Sequence, residues 1–130
     1  MFDSAFARSL FAGLAGFAGY GAWAWYANLD HGDFIAMRSG LVQGGYSLVL
    51  TFLMTLVTEI LYLRFHGIRY AHLVSTALIS VILFVSAYSI HMLVGTPEIL
   101  MTIFPGWIIG TIYTFFYIVG LKRLRDEKEA

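Results

Sequence analysis

One carboxylate sits well inside an otherwise uncharged stretch of this chain. Glu59 lies at the edge of a stripe on which Gly40, Gly44, Ser47, Thr51, Thr55, Thr58 and Tyr62 recur at helical spacing. At 3.6 residues per turn these side chains fall within about 80° of arc. Carboxyls enclosed in apolar surroundings exchange protons closer to neutral pH than exposed ones do, which is what a proton-coupled carrier uses. A row of hydroxyls can replace water around a solute or ion. The competing expectation for Glu59 is an interfacial ion pair with Arg64 or Arg69, because Arg64 lies about 7–8 Å of helix rise away. For the hydroxyls it is close helix packing, which small and hydroxyl side chains also favour.

Matching depth along the apolar runs places Thr55, Ser75, Thr76, Tyr113 and Tyr117 level with Glu59, an inner binding cluster. Ser47 and Thr51 continue the stripe away from it. A second cluster gathers Gln43, Tyr46, Tyr88, His91, Trp23 and Trp107 at similar depth. Histidine titrates near neutral pH, so His91 is a candidate proton or ligand contact, against the alternative of an interfacial ring bonded to headgroups or a carbonyl. Pro105 removes a backbone donor inside an apolar run and should kink it, with Thr102 or an opposing hydroxyl taking up the freed carbonyl.

Other chemistry finds no residues. The chain has no cysteine, which removes disulfides and thiolate sites together. His72 and His91 would be separated by about 28 Å of helix rise and cannot share an iron. Neither a Ser/His/Asp arrangement nor a nucleotide-binding glycine loop is present. No catalytic set, metal or cofactor is expected, and the chain is not expected to be an enzyme. Eight basic and eight acidic residues cancel, so nothing invites nucleic acid.

The elements that must position these residues follow from composition. Of 130 residues, 59% are hydrophobic and 12% charged. So small a soluble domain could not bury that much apolar surface. Charge-free runs at 9–29, 39–58, 70–97 and 99–121 each meet the roughly 20 residues that cross a bilayer as a helix. Lipid leaves backbone groups no outside partner, so the runs should be helices, at about 6–29, 40–65, 68–94 and 97–121. The first run has no basic segment before it and is expected to remain as a permanent span.

Expected connections are a loop around 28–39, a tight turn at His66-Gly67, and a turn at Gly95-Thr96-Pro97 with Thr96 capping and Pro97 opening the last helix. The tail 122–130 is expected to fray. Gly40-x3-Gly44 and Gly106-x3-Gly110 are small-xxx-small packing faces, and helix 1 adds Ala12, Ala15, Gly16, Gly19 and Ala22. The fold class is therefore an all-α integral membrane protein, a single compact four-transmembrane-helix bundle of two hairpins.

Arg8, Arg64, Arg69, Lys122, Arg123, Arg125 and Lys128 share one side of that bundle, leaving only Arg38 on the other. The positive-inside rule puts both termini in the cytoplasm, and the bacterial inner membrane is the expected location. The size and four-span plan resemble those of the small multidrug resistance transporters, although their essential first-span glutamate has no counterpart here. That likeness implies dimeric transport by analogy. The expected function is a small transporter or channel-like protein moving a small solute or ion, proton-coupled through Glu59. It would work as a homo-oligomer, a dimer above all, among membrane lipids. The alternative is a non-catalytic accessory subunit or lipid-binding partner of another membrane protein.

Overall fold

The computed structural model describes residues 5–130, and the side chains of Ala5, Arg8, Ser9 and Thr55 lie outside that description. Throughout, the described chain is helical: α1 (Ala5–Ala27), a short 3-10 turn (Leu29–His31), α2 (Asp33–Phe65), α3 (Ala71–Val94) and α4 (Ile99–Glu129). α3 and α4 are each long and apolar enough to cross a membrane. A third span is added if α2, bent by 48° between Asp33–Met54 and Leu56–Phe65, counts as one. α1 has span length but is built largely of alanine and glycine, which carry less transfer energy than leucine or isoleucine.

Helix ends depart from the expected boundaries for readable reasons. The expected loop at 28–39 is largely helix, because α2 begins at Asp33. Gly32, at φ 103°, turns the chain without a Cβ penalty, and Asp33 places a carboxylate in the first turn, where the helix dipole favours it. Ala36 of this early stretch is fully buried. Likewise the tail does not fray, since α4 runs to Glu129 and Arg125 pairs with Glu129 at 2.9 Å one turn on. Charge ends the membrane-compatible run, but it does not end the helix.

The α2–α3 turn is longer than two residues and closes on Tyr70, which takes a left-handed conformation (φ 64°). At the far end of α3, Gly95 (φ 80°) donates to the His91 carbonyl at 3.0 Å, and the Thr96 N–H donates to the same oxygen at 2.9 Å. This is a glycine-closed helix end. It changes the expected role of Thr96: α4 starts at Ile99 behind Glu98, Pro97 lies outside the helix, and the Thr96 hydroxyl is used elsewhere.

Packing rests on backbone approach between α1 and α2. A methyl added at Gly40 would lie 2.9 Å from the Gly21 carbonyl oxygen, and one at Gly44 would lie 2.9 Å from that of Phe17. Neither oxygen can retreat, so only glycine permits this contact. On the other side, Tyr62, Ile79, Leu83 and Ile118 form an apolar core shared by α2, α3 and α4. The two connections, 28–32 and 95–98, meet at one end of the bundle, here called the hairpin end; the 66–70 turn marks the opposite, turn end.

Candidate functional site

At the hairpin end, polar side chains tie α1 to α4. Asn28 is wholly buried, and its amide nitrogen donates to the Ala24 carbonyl and to Thr102 Oγ1, both at 2.8 Å. Its carbonyl accepts the Glu98 N–H at 3.1 Å. Outside it, His31 Nε2 and Glu98 Oε1 pair at 3.0 Å. The Met101 carbonyl, four residues before Pro105, is the one that proline leaves without a helical donor. Trp23 Nε1 donates to it at 2.8 Å. Thr102, the donor expected for that carbonyl, instead accepts from Asn28.

Below this clamp the two hairpins separate around a cavity of about 390 Å³. That is within the roughly 300–1,000 Å³ of small-molecule pockets. α1 contributes Gly16 and Tyr20, α2 Gln43, Ser47 and Thr51, and α4 Gly106, Trp107 and Tyr113. Leu50, Met54, Leu83 and Ile103 make much of the remaining wall apolar. The rim residues Ala12 and Ile109 are exposed, as is Tyr113 at 54%, so the cavity opens sideways between α1 and α4.

Most polar groups along its wall are already engaged. Ser47 Oγ donates to the Gln43 carbonyl at 2.9 Å and Thr51 Oγ1 to the Ser47 carbonyl at 2.8 Å, each bonding back one turn. These hydroxyls therefore present only acceptor lone pairs to the cavity. Tyr46 bonds Ser86 at 2.7 Å, and Trp107 Nε1 donates to Ser80.

At the cavity's hairpin-end wall stands a buried chain of four side chains. Ser39 Oγ donates to Thr96 Oγ1 at 3.4 Å, Thr96 Oγ1 meets His91 Nδ1 at 2.7 Å, and His91 Nε2 meets Gln43 Oε1 at 2.8 Å. Ser39, Gln43, His91 and Thr96 are all buried, with His91 only 1% exposed. The early start of α2 is what brings Ser39 into this chain.

The sequence candidates are thus distributed over three places. Ser47, Thr51 and Tyr113 line the cavity. His91 is joined to Gln43 behind its wall. Glu59 and Tyr117 meet toward the turn end, where the Tyr117 hydroxyl donates to Glu59 Oε1 at 2.7 Å, bridging α2 and α4; Tyr113 stacks on Tyr117 with ring centroids 6.0 Å apart. Glu59 does not line the cavity. Thr58 and Ser75 are buried, and the Ser75 hydroxyl is enclosed without a hydrogen-bond partner among the described residues. The Thr55 side chain lies outside the described residues.

Asn28 and Ser39 were not legible as functional in the sequence. Asn28 falls at the outer edge of the first expected span, where the loop begins, and Ser39 at the edge of the second. No family model, curated protein or solved structure matches this chain.

Proposed function

We propose that this chain is a four-span protein of the bacterial inner membrane, with both termini cytoplasmic, that binds a small, predominantly apolar solute between its two hairpins and moves it. The carrying observation is the cavity of about 390 Å³ that opens sideways between α1 and α4. A mouth on the flank of a membrane bundle admits molecules dissolved in the bilayer, and an apolar wall with few free polar groups suits such molecules better than ions. No catalytic step is invoked. A homodimer would double this unit around its exposed apolar faces.

Trp107 on the cavity wall supplies the test. In nanodiscs, 1-bromododecane should quench a saturable fraction of tryptophan fluorescence. Gly16→Leu should abolish that fraction, because a Cβ at Gly16 meets only ordinary contacts with Thr51, Ser47 and Tyr20 and the longer side chain fills the cavity. Quenching that is unsaturable and equal in both proteins would remove the basis of the proposal.

Proton coupling through Glu59 is supported by its bond to Tyr117 across α2 and α4. Glu59→Gln keeps an acceptor for the tyrosine and removes the charge. Coupled uptake of the bound solute should be lost in this variant with oligomer size unchanged, and full coupled uptake would refute the role. The sideways mouth equally favours a second reading, a lipid-binding accessory subunit. Native mass spectrometry from mild detergent separates the two: a foreign subunit or a lipid that survives activation indicates the accessory role, and a bare homo-oligomer indicates transport.

A further inference from the structure

The four-residue chain behind the cavity has a direction. Ser39 is wholly buried, and the only hydrogen-bond partner of its hydroxyl among the described residues is Thr96 Oγ1. A buried hydroxyl proton without an acceptor is costly. Ser39 therefore donates to Thr96, and the single Thr96 proton goes to His91 Nδ1. With Nδ1 accepting, the neutral ring carries its proton on Nε2 and donates it to Gln43 Oε1. Every donor points the same way, and such chains strengthen each bond in turn.

What emerges at the end is the Gln43 amide nitrogen with both its protons. Gln43 is 2% exposed and lines the cavity, and among the described residues no hydrogen bond uses that nitrogen. Gly106 stands opposite: even a Cβ built there would lie 3.5 Å from Gln43 Nε2 and 3.6 Å from the Tyr20 ring, so a ligand atom has room beside the amide. The neighbouring hydroxyls of Ser47 and Thr51 spend their protons on their own helix. The Gln43 amide is thus a fixed donor, beside the rotatable hydroxyls of Tyr20 and Tyr113, in a largely apolar space.

We infer that the occupant of this cavity is an apolar molecule bearing a neutral hydrogen-bond acceptor, a carbonyl above all, which docks on Gln43 Nε2. The inference rests on the cavity reading above and adds the chemistry of its ligand. Such a carbonyl has two sources, the ester of a bilayer lipid or a free apolar ketone or quinone-like molecule. His91, Thr96 and Ser39 are positioning residues that hold the amide with its N–H groups outward.

The test uses the full chain in nanodiscs of ether-linked phospholipid, which carries no ester carbonyl. 2-Dodecanone and dodecane are compared as competitors of 1-bromododecane quenching, each corrected for its partition into the lipid. The ketone should win by about tenfold, the weight of one buried hydrogen bond. Its 13C-labelled carbonyl stretch should move to lower frequency on binding. Gln43→Met should abolish both the preference and the shift and leave dodecane binding in place. The infrared shift in the unaltered protein decides the matter should Gln43→Met not fold.

Equal competition by the two probes, with the carbonyl band at its hydrocarbon-solvent frequency, would overturn the acceptor proposal and leave the apolar cavity standing. Failure of both to compete would overturn both. Repetition in ester-linked lipid distinguishes the sources: weaker ketone binding there identifies the lipid ester as occupant, and unchanged binding identifies a free molecule.

Discussion

Pro105 has no N–H, and the Met101 carbonyl it leaves open is taken by the Trp23 indole from the neighbouring hairpin. This turns a local defect into a tie between α1 and α4. Trp23→Phe should cost about 1 kcal/mol of stability, the net value of one hydrogen bond. In a Pro105→Ala background the new backbone N–H supplies the carbonyl within α4, so the same substitution should cost much less. A double-mutant cycle on thermal unfolding in detergent checks this, and equal costs in both backgrounds would show the indole bond to be idle. Asn28 works at the same joint with three hydrogen bonds. Asn28→Ala should destabilise by about 1–3 kcal/mol, since it strands a buried hydroxyl and a backbone N–H, and the same unfolding assay reads it.

Helices α1 and α2 meet through backbone, and glycine alone permits it. Gly44→Ala sets a methyl 2.9 Å from the Phe17 carbonyl oxygen and should lower stability by about 1–3 kcal/mol through overpacking. Gly45, its neighbour, faces open space. Gly45→Ala should be neutral or stabilising, because alanine favours helix over glycine by about 1 kcal/mol. Thermal stability of the pair in one detergent tests the assignment; similar losses for both would mean that helix rotation differs from that described. The small-xxx-small pattern of α2 was visible in the sequence and marks this seam. That of α4 marks something else, since Gly106 faces Tyr20 and Gln43 across the cavity and Gly110 faces Leu83. Spacing alone could not tell a helix seam from a cavity wall, because both ask for an absent side chain.

For the whole molecule, the clamp at the hairpin end and the cavity below it describe two hairpins joined at one end and parted along a flank. With no native cysteine, single-cysteine variants report topology against a clean background. An impermeant maleimide applied to intact bacterial cells should label Asp30→Cys, and should reach Gly67→Cys and Glu129→Cys only after the membrane is opened. Labelling at Gly67 from outside would invert the proposed orientation. The seven basic residues that a four-span plan would put on one side carry that proposal, and charge of this kind reports which side a segment occupies without reporting any contact it makes.

Long charge-free runs and few charges were enough to determine helices long and apolar enough to cross a membrane, because a chain in lipid must satisfy its own backbone whatever its neighbours are. Glycine and hydroxyl stripes were legible for the same local reason, as they follow from the helical repeat. The partnerships that make the candidate site were decided only by the tertiary structure. Matching depths put Gln43 and His91 at one level, yet depth is one coordinate, and a hydrogen bond also needs the rotation and tilt of each helix. Ser39 entered the chain because α2 begins before its uncharged run, where charge governs lipid contact and backbone hydrogen bonding governs helix. The free Gln43 amide arises from four side chains on two helices and a loop, and from the single direction in which their protons can all be placed.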